Sequence, residues 1–193
     1  MRIFSERGFE VATLDEIARG AGVARSALYR HFPNKSELFV AAVLQPLVDF
    51  QERYLHLWRE QVDAPWDDER YMRGLVTVIV DICASHREAM LGLITAEDRL
   101  DPETADRVLA TVGRHFDDLV RTVQPESDRR GWVPPESLEL SLRLLFGSIM
   151  SVTVLHRIFL PADPSRRPER GAIIEHVTRL FLHGAALSER PGG

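Results

Sequence analysis

The eleven residues from Thr13 to Val23, TLDEIARGAGV, most constrain what this chain can fold into. Thr13 and Glu16 stand at capping-box spacing, where a hydroxyl and a carboxylate satisfy the orphan amides of a helix start. Leu14, Ile17 and Ala18 then share one side of a short helix. Ala21-Gly22-Val23 reads as a tight turn, with Gly22 free to take a positive φ and Val23 directed back into the core. A second helix begins at once, and this order is the sequence form of a helix-turn-helix.

At about 100° per residue the second helix divides into two arcs. Ala24, Ala27, Leu28 and His31 fall on the one expected to pack inward. Arg25, Ser26, Tyr29 and Arg30 fall on an opposing arc of roughly 140°. Two arginines, a tyrosine and a small hydroxyl on one face suit the DNA major groove, where arginine pairs bidentately with guanine. Pro33-Asn34 ends that helix, and Asn34 with Glu37 caps the next. Lys35, the only lysine beside 23 arginines, lies in its first turn. Helix amides and an ammonium together make a phosphate clamp there. Each residue also has a plainer reading: His31 as a hydrogen-bonded core histidine, Tyr29 as a half-buried ring, Arg25, Arg30 and Lys35 as solvated charge.

The segment Gly8-Phe9, Thr13 to Ala18, Ala21-Gly22-Val23 and Leu28-Tyr29-Arg30-His31-Phe32-Pro33-Asn34-Lys35-Ser36-Glu37-Leu38 resembles the DNA-binding domain of TetR-family transcriptional regulators. The resemblance covers about 44 of the 193 residues. It implies an all-α homodimer: a three-helix helix-turn-helix DNA-binding domain over residues 1–44, and a helical effector-binding and dimerisation domain over 45–193. It also implies phosphate contacts from Thr13, Tyr29, His31 and Lys35, and base contacts from Arg25 and Ser26, with Tyr29 and Arg30 beside them. Ala24 and Ala27 depart from the family, which often has Ser or Thr there. The chain also begins inside what would be the family's first helix, so Met1 is expected to be either a misassigned start or the end of a shortened, weakly anchored helix.

Beyond residue 44 the periodicity is helical throughout, with no repeat or alternating strand pattern. Helices are expected from Lys35 into the fifties with a kink at Pro46, and over 68–91, 102–123, 135–159 and 168–187, with a short piece near 92–98. Loops are expected at Pro125–Pro135 and Pro161–Pro168. Leu75-Val76-Thr77-Val78-Ile79-Val80 is strand-like in isolation but reads as buried helix in its charged setting.

No enzyme signature appears in 45–193: no phosphate-binding glycine loop, no His-Glu-x-x-His, no nucleophile elbow. Cys83 and His86 share a helix face, yet a lone cysteine with no second close pair argues against a metal site. No cofactor is expected. The family's cavity would be lined by Cys83, His86, Met90, Ile94, Phe116, Phe146 and Met150, and few interior charges imply a largely apolar effector. Leu140, Leu144, Gly147 and Ser151, with Ile174, Val177 and Phe181, would form a four-helix dimer interface. Trp58, Trp66 and Trp132 receive no role.

The single cysteine fits a reducing compartment. The first ten residues hold four charges and no apolar stretch, unlike a signal peptide. The longest uncharged apolar run, Leu144 to Leu155, is twelve residues, too short for a bilayer. A bacterial cytoplasmic, nucleoid-associated protein with no membrane contact is therefore expected. The net charge of -5 speaks against general nucleic-acid binding, but it is unevenly spread. Residues 1–44 carry six basic and five acidic side chains, residues 45–193 carry 18 and 24, and residues 17–36 carry four basic and none acidic. The expected function is a regulator, by family default a repressor, that binds a palindromic double-stranded operator and is released by a small molecule. The alternative is a helical ligand-binding or scaffolding protein whose DNA-binding domain is impaired by a shortened start.

Overall fold

The structure, a computed structural model, describes residues 11–63, 66–96 and 101–184. The helix expected up to Gly8, and with it the question of the chain start, lies outside the described residues, as does the expected last stretch to 187.

Local chemistry sets the first elements. Helix α1, Leu14–Ala21, opens with the expected capping box: the Glu16 amide donates to Thr13 Oγ1 at 3.2 Å, and the Thr13 amide to Glu16 Oε2 at 3.1 Å. Gly22 closes it at φ 66, and the amides of Gly22 and Val23 donate back to the carbonyls of Arg19 and Ala18. Leu14 and Ala18 are buried. Helix α2, Arg25–His31, starts from Ala24, whose side chain provides no cap. None of its residues is buried, which corrects the inward arc: Ala27 and Leu28 are half-buried, while Ala24 and His31 are exposed. Val23 is also 45% exposed rather than directed into the core. A helix of two turns offers too narrow a face to hide four side chains.

Asn34 Oδ1 then accepts the Glu37 amide at 2.8 Å and starts α3, Lys35–Asp63. This helix passes through Pro46 and across the expected domain boundary at residue 44. It carries the helix-turn-helix into a bundle made of α4 (Asp68–Ser85), α5 (Arg87–Ala96), α6 (Pro102–Arg130), α7 (Leu138–Thr153), the short α8 (His156–Phe159) and α9 (Arg170–His183). All elements among the described residues are helical, α or 3-10.

Helix α4 is the bundle's centre, packed against α3, α7 and α9. It buries Tyr71, Leu75, Val76, Ile79, Val80, Ile82 and Cys83, so the strand-like run is indeed a buried helix. Phe50 and Tyr54 of α3, Leu119 and Val123 of α6, Leu142, Leu145 and Ile149 of α7, and Ile174 and Val177 of α9 complete the core. Each such apolar side chain contributes about 1.5–3 kcal/mol by leaving water. Burial pushes the Cys83 thiol up to about 11, which makes it a packing residue rather than a reactive one.

Three boundaries differ from the sequence reading. The expected helix 68–91 breaks at His86, which ends α4 before α5 begins. The expected helix 135–159 is a 3-10 turn at Pro135–Ser137 followed by α7 and α8. Helix α6 runs through Pro125 to Arg130 instead of stopping at 123. A proline removes one amide and one backbone bond, but here the following turn is held by Glu126 and its arginine partners. The true stop is Gly131, left-handed at φ 65.

Candidate nucleic-acid interface and effector cleft

Six of the seven expected DNA-contacting residues, Thr13, Arg25, Ser26, Tyr29, Arg30 and His31, are exposed, and Lys35 is half-buried at the start of α3. They lie along the turn before α1, the length of α2 and the first turn of α3, so one stretch of 23 residues presents them. Thr13 has a prior commitment: its hydroxyl accepts from Glu16 and donates back to Glu16 Oε2 at 3.1 Å. Arg25 is held as well. Its Nε lies 2.8 Å from Asp15 Oδ1 of α1, and its guanidinium lies 5.2 Å from the Tyr29 ring centroid. Both contacts keep the side chain on the outer face of α2 while leaving it 66% exposed. Asp15 was not read as a partner of Arg25, because ten residues and a turn separate them.

A second unforeseen contact ties this surface to the body. Arg107 of α6 donates to Glu37 of α3 at 2.8 Å, two residues beyond Lys35. The Glu37 carboxylate in turn holds the Arg107 guanidinium above the usual arginine range. Both side chains are more than a third exposed, so the pair positions the two helices rather than adding much stability.

Further along, α6 forms one wall of a cleft that encloses about 490 Å³ of empty space, counting its open mouth. Phe50, Gln51 and Tyr54 of α3 face it, as do His115, Phe116, Asp118, Leu119 and Thr122 of α6, and Phe146 of α7. The three phenylalanines meet edge to face: Phe50 with Phe146 at 5.0 Å between centroids, Phe116 with Phe146 at 5.3 Å. Of the seven residues expected around a cavity, Phe116 and Phe146 are in this wall. The others sit elsewhere, for identifiable reasons. Cys83 is fully buried, and Met90 and Met150 pack partly buried against the core. Ile94 is 45% exposed. His86 turns its Nε2 to Asp49 Oδ2 at 2.7 Å, joining the break between α4 and α5 to α3. Asp49 is held below the usual carboxylate range by the Gln45 amide first, and by His86. Among the described residues no group of three His, Cys, Asp or Glu side chains could hold a metal ion.

The expected dimer stripe divides. Leu140 and Leu144 are 61% and 58% exposed on α7, and Gly147 is open beside them, while Ser151 is half-buried. Ile174 and Val177 of α9 are instead buried in the core of the single chain, and Phe181 packs partly against it. Helix α9 packs against α4, so that face is already used. The exposed large apolar side chain among the described residues of α9 is Leu180.

A capped helix, a left-handed glycine turn and an exposed basic second helix, carried by a long helix into a body whose described elements are all helical, have the form of a helix-turn-helix module. Residues 1–42 match the bacterial regulatory proteins of the tetR family. The transcriptional activator FasR of Mycolicibacterium smegmatis is 34% identical over 107 residues, 55% of this chain and 47% of that protein. The match therefore spans about half of that relative's length. The transcriptional regulator UidR of Escherichia coli K12 is 26% identical over 144 residues, 74% of this chain and 70% of its own. A solved structure described as a fatty acid metabolism regulator of Clostridium perfringens shares the fold, with a TM-score of 0.74 at 19% identity, covering 97% of this chain and 96% of that one. The likeness to the tetR family thus rests on residues 1–42, and the likeness to the solved structure is one of fold. No described helix is long and apolar enough to cross a membrane.

Proposed function

We propose that the protein is a cytoplasmic, nucleoid-associated repressor that binds a palindromic operator as a homodimer and is released by a small, largely apolar effector. The observation that carries this reading is the exposed basic face of α2, with Lys35 at the start of the next helix and no acidic residue between 17 and 36. In the proposed division of labour Arg25 and Ser26 meet base edges, helped by Tyr29 and Arg30, while Thr13, His31 and Lys35 meet phosphates. Residues 45–193 supply the effector cleft and the contact between copies.

The mechanism is geometric. An effector that binds better to a conformation with wrongly spaced recognition helices lowers operator affinity by its differential binding. The Glu37–Arg107 contact gives the cleft helix α6 a direct hold on the helix that carries Lys35. Dimerisation is supported by Leu140 and Leu144, one helical turn apart and exposed on α7. Leu144→Arg is expected to give a monomer in sedimentation or size-exclusion measurements and to weaken operator binding; an unchanged dimer would move the interface elsewhere.

The deciding experiment is selection of genomic fragments, repeated at about 50 and 200 mM salt. Salt-sensitive binding to one inverted repeat is the expected result. Absence of any specific fragment, also with an extended N-terminus, would sink the regulator reading in favour of a ligand-binding or scaffolding role.

A further inference from the structure

The cleft's chemistry selects among effectors. Its apolar part is a herringbone of Phe50, Phe146 and Phe116 in successive edge-to-face contact. Aromatic rings arranged in this way offer edges and faces to a flat ring, which prefers offset or edge-on contact.

Gln51 is exposed at the mouth, and most of the deeper polar residues are already committed. Tyr54 shares its hydroxyl with that of Tyr71 at 2.7 Å. Asp118 is paired with Arg121, and the Thr122 hydroxyl donates to the Asp118 carbonyl at 2.8 Å. His115 differs. Its Nδ1 lies 2.8 Å from the Thr111 carbonyl, which can only accept, so Nδ1 carries the proton. In the neutral ring Nε2 is then an acceptor, and it has no partner among the described residues.

No uncommitted cation faces the cleft among the described residues. Arg121 is held by Asp118, and Arg143 lies over the Phe116 ring at 4.6 Å while paired with Glu139. An anionic guest would bring a buried charge with no counter-charge, which is costly.

We propose that the cleft takes an uncharged, flat aromatic molecule bearing a hydroxyl, with the rings of Phe50, Phe116 and Phe146 holding its body and His115 Nε2 accepting a hydrogen bond from its hydroxyl. This rests on the regulator reading for its consequence, release from DNA, but binding itself can be tested apart from DNA.

Isothermal titration of the full chain with naphthol, methoxynaphthalene and naphthoate gives the test. All three share the ring; they differ in offering a donor, no donor, or a negative charge. Naphthol is expected to bind about tenfold more tightly than methoxynaphthalene, the worth of one good hydrogen bond. Naphthoate is expected to bind most weakly. His115→Phe keeps a ring in the wall and should bring naphthol and methoxynaphthalene within about twofold of each other. Gln51→Trp, at an exposed position of the wall, should obstruct all three and provides a variant with no core change. Tightest binding by naphthoate, no binding of any probe, or a naphthol preference that survives His115→Phe would each overturn the proposal. Fragment binding by the same preparation separates the two readings. Operator binding without naphthol binding removes this cleft assignment alone, whereas naphthol selectivity without operator binding removes the regulator reading and leaves the cleft.

Discussion

Replacing Arg130 by methionine is expected to destabilise the protein by about 3 kcal/mol, because it leaves a buried carboxylate short of one of its two arginine partners, the buried one. Arg130 and Glu126 are 7% and 9% exposed and directly paired. The same guanidinium reaches Asp68 at 2.6 Å and the Trp66 carbonyl at 2.8 Å, and lies 5.6 and 5.4 Å from the Tyr71 and Trp132 rings. One side chain thus ties the end of α6 to the start of α4. Arg129 remains to Glu126 in the variant but is 59% exposed, so the loss falls at the low end for a broken buried pair. The double variant Glu126→Leu/Arg130→Met should recover part of the loss, with a coupling above about 1 kcal/mol in urea denaturation. Additive effects would show that the pair does not act as a unit.

The same network fixes a pH dependence. Arg129 and Arg130 hold the Glu126 carboxyl down, to about 2, despite the opposing effect of burial. A carboxyl lowered in the folded state binds fewer protons than it does unfolded. Its stabilisation is complete above the ordinary value near 4.5 and is lost as pH falls from there towards 2. Glu126→Leu should remove that component of the acid slope. A slope unchanged in this variant would assign acid sensitivity to other carboxylates.

What the sequence revealed and what it hid separate by distance along the chain. The Thr13–Glu16 capping box, the Gly22 turn and the Asn34 cap each depend on residues within five positions, so local pattern was enough to place them. Long-range partners left no such trace: Asp15 with Arg25, Glu37 with Arg107, and Trp66 and Trp132 around Arg130 come together only in the packed bundle. Pro125 misled for a related reason. A proline reads as a stop, but the Glu126 network carries the helix past it to Gly131. The apolar stripe of α9 is expected at a dimer interface yet lies in the core of the single chain, because periodicity alone cannot say whether the cover is a second copy or the chain's own α4. The cleft is half legible for the same reason: Phe116 and Phe146 stood out as bulky apolar residues, while His115 became informative only once its Nδ1 partner was seen.

The largest effect on DNA binding is expected from the arginine that opens α2. Arg25→Ala should erode discrimination at one base position by about 1–3 kcal/mol, roughly five- to 150-fold, with smaller changes at other positions. Lys35→Ala should weaken every sequence alike and flatten the salt dependence by about one unit of slope. Asp15 makes the contrast sharper, since its carboxylate holds Arg25 at 2.8 Å against the protein. Asp15→Asn is expected to release the guanidinium to phosphates, raising affinity for unrelated sequences and steepening the salt slope by about 0.9. Competition binding against single-base operator variants at two salt concentrations measures all three. Equal loss of discrimination in the Arg25 and Lys35 variants would refute the division between base reading and phosphate clamping. The chain's overall acidity works in the same direction: 24 acidic against 18 basic side chains beyond residue 44 repel the duplex from the body. On the proposed reading the small basic surface is what meets DNA, so the charge on one residue of that surface, and the carboxylate that restrains it, is expected to influence strongly which sequences are held.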